Sequence, residues 1–229
     1  MTVWLVGAGP GDPGLITVRG QALVRSCDVL IHDRLVSPEL VAQASGALIV
    51  SRDGRAQGEV NRMLVELGRK GLEVVRLKGG DPFVYGRGGE EAIALAEAGV
   101  PFEVVPGVSS LAAVPAAAGI PLTHRGVSAG VRVYSGRTAE ASGETVLVFM
   151  GLHELARVCD DLVAEGFDPC TPAAVISRGT LPGQEVVVAE LGQLAAAAEG
   201  IEAPALVVVG EVVSLRDRLL AGVLQESAV

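Results

Sequence analysis

The stretch that most constrains this chain is residues 74–91, VVRLKGGDPFVYGRGGEE. It opens on an apolar, β-branched run that suits a buried strand and closes on residues that suit a helix, with glycines at the handover. In open α/β sheets such a handover lies at the carboxyl end of the strand, where ligands bind. Gly79 and Gly80 carry no Cβ, so a ligand can approach their backbone, while Asp81 can accept hydrogen bonds and Pro82 stiffens the exit. A plain β-turn ahead of a helix would use the same GGDP residues. The presence of Lys78, Asp81 and Arg87 within eighteen residues favours a ligand loop.

The rest of the first half repeats this order. Residues 2–6 form a strand candidate, followed by GAGPGDPG over 7–14 and a helical pattern over 15–27. The turn is not G-x-G-x-x-G, because Asp12 stands at the third glycine position and Pro10 and Pro13 stiffen the loop. An aspartate there also opposes a pyrophosphate, which disfavours a dinucleotide site. Residues 28–31 make a second strand that ends in His32-Asp33-Arg34. Asp33 is thus a candidate acid or base at a strand end, and equally a candidate N-cap for a helix over 35–42. A third strand over 47–51 leads through a polar loop carrying Arg52 to a helix over 59–70 closed by Gly71. Beyond the central stretch, 90–98 is a helix ended by Gly99, 102–105 is a strand, and Ser109 or Ser110 caps an alanine-rich helix over 111–118. Five strands alternating with helices predict a parallel sheet.

Residues 120–126, IPLTHRG, show no period and contain turn formers, so they read as a linker between an N-terminal domain, 1–119, and a C-terminal one, 127–229. In the second half, 131–135, 145–150, 173–177, 185–189 and 205–209 read as strands, and 152–165 and 191–198 as helices. Five strands share two helices, which requires some antiparallel neighbours and a mixed sheet. Met150 and Gly179 follow two of these strands.

Composition narrows the function classes. Of 229 residues, 49% are apolar and only 3% aromatic, which suits parallel sheets covered by helices. A formal net charge of −9 repels polyanions and argues against nucleic acid as a partner. Arginine groups around Arg34 and Arg52, around Arg76, Lys78 and Arg87, and at Arg125 and Arg132 would bind a carboxylate-rich small molecule if they converge. No apolar run approaches the ~20 residues of a membrane span, and the N-terminus lacks a basic, cleavable leader, so a cytoplasmic protein with no membrane partner is expected. The three cysteines, Cys27, Cys159 and Cys170, form no C-x-x-C pair, which argues against a disulfide framework and a zinc site.

Six stretches together carry a resemblance: VGAGPGDPGLITVRG, HDRLVSPEL, VVRLKGGDPFVYGRGGEE, VVPGVSS followed by GIPLTHR, VFMG, and VVVGEVVSLRD. From Val3 to about Arg218 the chain resembles the uroporphyrinogen-III C-methyltransferases of the tetrapyrrole methylase family. GRGGEE and PLTHR together look like this group rather than the later cobalamin-pathway, diphthine or ribosomal-RNA methyltransferases. The resemblance implies two α/β domains, the first holding substrate and part of the donor site, with S-adenosylmethionine in the cleft between them, usually in a homodimer. It places the donor against Pro10, Gly79, Gly80, Asp81, Val84, Ser109, Ser110, Met150 and Gly179, and matches Asp33 to the family's proposed general base. Where relatives read V-G-K-R, with the lysine as proposed proton donor, this chain has Val50-Ser51-Arg52-Asp53. An arginine keeps its proton, so Arg52 suits a carboxylate and not a general acid. Ser109 stands where a threonine is common.

The reaction implied is methylation of two ring carbons of uroporphyrinogen III, giving precorrin-2 and S-adenosylhomocysteine, on the way to sirohaem and cobalamin, with no metal. Arg34, Arg52, Arg87, Arg125 and Arg132 are the candidate partners of the substrate's carboxylates. Three alternatives stand beside it: a sister precorrin methyltransferase, a nicotinamide-dependent oxidoreductase built on GAGPGDPG, and a non-catalytic tetrapyrrole-binding protein.

Overall fold

Alternate residues of the first strand, β1 (Val3–Gly7), go to opposite sides, and that alternation builds a sheet covered on both faces. Val3 and Leu5 join a core with Ile31, Val60, Leu64, Val74 and Leu95, whereas Val6 joins another with Val24, Leu30, Leu40, Val75 and Leu77. The computed structural model describes residues 2–135 and 144–220, so residues 136–143 and 221–229 of the expected C-terminal domain lie outside the described part. The first unit alternates strand and helix: β1, α1 (Val18–Ser26), β2 (Val29–His32), α2 (Pro38–Ala42), β3 (Leu48–Ser51), α3 (Gln57–Arg69), β4 (Val74–Lys78), α4 (Gly88–Glu97) and β5 (Phe102–Val105). All pairings are parallel, in the order β3-β2-β4-β1-β5. α1 and α2 cover one face, α3 and α4 the other. The neighbours β1 and β4 therefore send their helices to opposite faces, which makes the gap beyond their carboxyl ends the sheet's switch point.

Helix α2 begins later than the periodicity predicts, at Pro38, because Ser37 caps it: its hydroxyl accepts from the Glu39 N–H at 3.2 Å. Asp33 is not that cap.

In the second unit, β6 (Val131–Ser135) and β7 (Thr145–Phe149) are parallel, while β10 (Ala205–Val209) runs antiparallel to β7 and to β8 (Pro172–Ser177), and β9 (Glu185–Glu190) antiparallel to β8. The expected mixed sheet is present, in the order β6-β7-β10-β8-β9. Helices α6 (Leu155–Ala164) and α7 (Leu194–Ala197) pack on one face through Leu155, Val158, Leu162 and Leu194. The chain divides between Ser110 and Leu111, upstream of the expected linker at 120–126. The reason is packing: in α5 (Ser110–Ala117) and just after it, Val114, Ala118 and Ile120 are buried against Leu147, Ala174, Ile176 and Val208 of the second sheet. A short helix, α8 (Arg216–Leu220), ends the described chain. No helix among the described residues is long and apolar enough to cross a membrane.

Cys27 and Cys159 are buried and Cys170 is exposed. Burial pushes the Cys27 thiol up to about 11, and burial followed by Asp160 raises Cys159; Glu190 and then Asp168 raise Cys170. A thiol reagent is therefore expected to label Cys170 in the native protein, slowly for an exposed thiol, and the other two only on unfolding. Mass spectrometry of the singly labelled native chain checks the assignment; labelling of Cys27 before Cys170 would contradict it.

Candidate active site

Three loops meet beyond the carboxyl ends of β1, β4 and β5. Gly9 and Gly80 form an isolated bridge, with the Gly80 N–H donating to Gly9 O at 2.6 Å and the Ala8 N–H to Lys78 O at 2.7 Å. A Cβ on Gly107 would lie 2.2 Å from Gly80 O, and one on Gly7 would lie 2.4 Å from Gly107 Cα. Only glycines permit that approach. Asp81 ties the loops together: Oδ1 accepts from the Phe83 N–H at 2.8 Å and Oδ2 from the Gly107 N–H at 3.0 Å. Both of its carboxylate oxygens thus engage backbone N–H groups, one of them across to the loop after β5. Gly80 has φ +63°, whereas at Gly79 a Cβ would meet only Leu35 Cβ, in ordinary contact at 3.8 Å.

The parallel sheet brings most of the predicted residues of the first unit to this one edge. Pro10 follows β1, Asp33 and Arg34 follow β2, Arg52 follows β3, Gly79, Gly80, Asp81, Val84 and Arg87 follow β4, and Ser109 and Ser110 follow β5. Arg87 is exposed at the start of α4 and donates to both oxygens of Glu90, at 2.9 and 2.7 Å, and this pairing lowers the Glu90 carboxyl from its ordinary value. In the second unit β7 and β8 run in the same direction, both antiparallel to β10, so Met150 and Gly179 lie at one edge of that sheet. Gly179 is needed for packing as well, because a Cβ would sit 2.5 Å from Val114 Cγ1. Arg132 does not join that edge. It pairs with Val146 across the β6–β7 ladder, four residues or about 13 Å before Met150, and its guanidinium is engaged by Glu144. Arg125 is exposed in the turn between His124 and Ser128, which bridge to one another.

Two features escaped the sequence reading. The first is that Arg76 and Lys78 cannot reach a ligand, for each is only 1% exposed. They alternate along β4 on the face that carries α3 and α4, and Glu91 in the first turn of α4 meets both: Arg76 Nε donates to Glu91 Oε1 at 3.0 Å and Lys78 Nζ at 3.1 Å. Loss of water, then the Arg76 charge, pulls the Lys78 ammonium below its ordinary value, and Glu91 and Asp33 oppose that shift. Asp33 lies on the same face as Ile31 and Arg76, and its Oδ1 accepts from Arg76 Nη2 at 2.5 Å, with Arg52 Nε 3.9 Å away. A signal was available, since two cations at i and i+2 of an apolar strand require a buried counter-charge. The second feature is strain. Tyr85, Arg87, Met150, Arg178 and Thr180 are the described non-glycine residues with positive φ, and every one follows β4, β7 or β8. Such conformations cost free energy and concentrate where a site over-determines the backbone.

A switch-point loop on a doubly covered parallel sheet, followed in the chain by a mixed sheet with strained strand ends, defines an α/β protein of two units. The chain belongs to the tetrapyrrole (corrin/porphyrin) methylases, whose family model matches residues 2–195. It is 46% identical to a siroheme synthase of Hahella chejuensis over 95% of this chain and 50% of that protein, so it spans about half the length of such relatives. Among solved structures it resembles the uroporphyrin-III C-methyltransferase of Thermus thermophilus, with a TM-score of 0.85, 41% identity and 96% of both chains covered. A second structure of that enzyme, complexed with S-adenosyl homocysteine, gives a TM-score of 0.83 and 38% identity, over 94% of this chain and 100% of the other. No group of three or more potential metal ligands occurs among the described residues.

Proposed function

We propose that this chain is an S-adenosylmethionine-dependent methyltransferase that methylates two ring carbons of uroporphyrinogen III in turn, giving precorrin-2 for sirohaem and cobalamin synthesis. The observation that carries the reading is the end-to-end likeness to a uroporphyrin-III C-methyltransferase at 41% identity. The glycine loop supports it, for Gly79 leaves the loop's face open to a donor and Gly80 accepts the left-handed turn behind it. Pro10, Gly79, Gly80, Asp81, Val84, Ser109, Ser110, Met150 and Gly179 are the residues we assign to holding the donor.

The bound donor supplies a methyl group already activated by its sulfonium. The chain's own contribution is then to align the two reactants and exclude water. Asp33 sits at the strand edge, partly exposed, and takes up the proton that leaves the methylated ring carbon or offsets the positive charge that precedes its loss. Arg34, Arg87 and Arg125 are exposed, and Arg52 partly so, which suits them to the substrate's carboxylates. Arg132, held by Glu144, is the weakest of the original set. The reading extends to a metal-independent homodimer in the cytoplasm, and light scattering on the purified chain tests the dimer.

Calorimetry with S-adenosylhomocysteine and with NAD, followed by an anaerobic absorbance assay on uroporphyrinogen III, tests the function. Binding of S-adenosylhomocysteine with formation of a dimethylated product is expected; binding of NAD in its place would support the oxidoreductase alternative. The donor loop has its own test. A Cβ at Gly79 meets only Leu35 Cβ, in ordinary contact at 3.8 Å, so Gly79→Val should cost little in melting while S-adenosylhomocysteine affinity falls by ~10-fold or more through steric exclusion. Unaltered affinity in the folded variant would remove Gly79 from the donor site.

A further inference from the structure

Unit one buries more charge than the proposed reaction accounts for. Arg76, Lys78 and Glu91 are at most 1% exposed, and placing ions in the interior costs several kcal/mol each before their attraction is counted. Apolar side chains of similar volume would join the sheet to α3 and α4 at least as well, so the cluster suggests a task besides packing.

The contacts define a direction. Glu91 is clamped from one side by Lys78, whose Nζ lies 3.1 Å from each carboxylate oxygen, and by Gln57, whose Nε2 donates to Oε1 at 3.2 Å. Glu91 Oε1 in turn accepts from Arg76 Nε, and Arg76 Nη1 donates to Leu77 O at 3.2 Å. These bonds fix the plane of the guanidinium and leave Nη2 pointed at Asp33, the member of the chain that reaches solvent, with 23% of its side chain exposed. The four groups, two cations and two carboxylates, sum to no net charge. Only the planar fork of an arginine spans two carboxylates in this way; a lysine in its place is a single point charge on a flexible stem.

We propose that Arg76 is a positioning residue that holds the Asp33 carboxylate for methyl transfer, and that Glu91, braced by Lys78 and Gln57, holds Arg76 for that purpose. This rests on the reading that Asp33 serves the reaction. Arg52 pairs with the same carboxylate oxygen at 3.9 Å and its Nη2 donates to Arg55 O at 3.4 Å, but it is partly exposed and within reach of a substrate carboxylate, whereas Arg76 is sealed from solvent and can only orient its neighbour.

The experiment is a cycle of Arg76→Lys, Asp33→Asn and the double variant in the full chain, read by single-turnover methylation with donor prebound, by calorimetry with S-adenosylhomocysteine, and by melting. Arg76→Lys should slow single turnover by ~10-fold or more, leave donor affinity within about twofold, and add no further loss in the Asp33→Asn background. Losses that multiply in the double variant, or a wild-type rate in Arg76→Lys beside a slow Asp33→Asn, would make Arg76 a structural residue and overturn the proposal. A wild-type rate in Asp33→Asn itself would instead refute the role of Asp33, and the positioning role with it. If Arg76→Lys does not fold, Glu91→Gln enters the same cycle, since it keeps the shape and an acceptor for Arg76 while removing the charge; the same masking by Asp33→Asn is expected, and multiplying losses would again overturn the proposal.

Discussion

Asp33→Asn is expected to lower single-turnover methylation of uroporphyrinogen III by ~10² or more while S-adenosylhomocysteine affinity stays near wild type and melting falls far less than on loss of the fully buried Glu91, because Asp33 is partly exposed. The structure sharpens this expectation, because capping of α2 belongs to Ser37 and the substitution leaves that helix untouched. Asparagine also keeps an oxygen where Arg76 Nη2 donates, so the geometry survives and the charge does not. Methyl transfer itself can limit the overall rate and hide a lost proton acceptor, which is why the single-turnover measurement with bound donor decides. A folded Asp33→Asn variant that turns over at the wild-type rate would reduce the site to a positioning device without a base.

Glu91→Ala should give the largest loss of stability. It removes the carboxylate shared by Arg76 and Lys78 and leaves two cations in the interior with one partly exposed counter-charge, Asp33. Breaking a buried ion pair from one side costs about 3–5 kcal/mol. At about 2–4 °C per kcal/mol for a chain of this length, the melting temperature falls by roughly 6–20 °C. The pH dependence has a definite sign. Burial already pulls Lys78 below its ordinary value, and without Glu91 the principal opposing attraction is gone. A lysine depressed in the folded state binds fewer protons folded than unfolded, so stability rises with pH up to the unfolded value near 10.4. The melting deficit of the variant relative to wild type should therefore narrow as pH rises toward the unfolded lysine value near 10.4; a constant deficit would assign the loss to packing.

How much of this is legible in the sequence differs by level. Strand and helix identity came through because it is a local property: apolar runs such as 29–31 and 74–75, glycine at helix ends, and helical periodicity act within a few residues. Parallel order then brought Asp33, Gly79, Asp81 and Ser109 to one edge without any long-range information, since every strand of such a sheet ends on the same side. The role of Ser37 over Asp33 as the α2 cap was a matter of one turn of chain, and Pro38 at the first helical position was its available sign.

What depended on the tertiary structure was which charges meet. Arg76 and Lys78 have the same composition as a ligand-binding pair, and nothing local separates them from Arg87, yet two are sealed in the core and one is exposed on Glu90. Their partners come from 13, 15 and 43 residues away, and pairing across such separations follows from how α4 docks on β4 and how β2 lies beside it. The boundary at Ser110 is of the same kind, for α5 follows the first sheet in the chain but buries Val114 in the second core. Periodicity encodes which face of an element is apolar; it carries no label for the element that will cover that face.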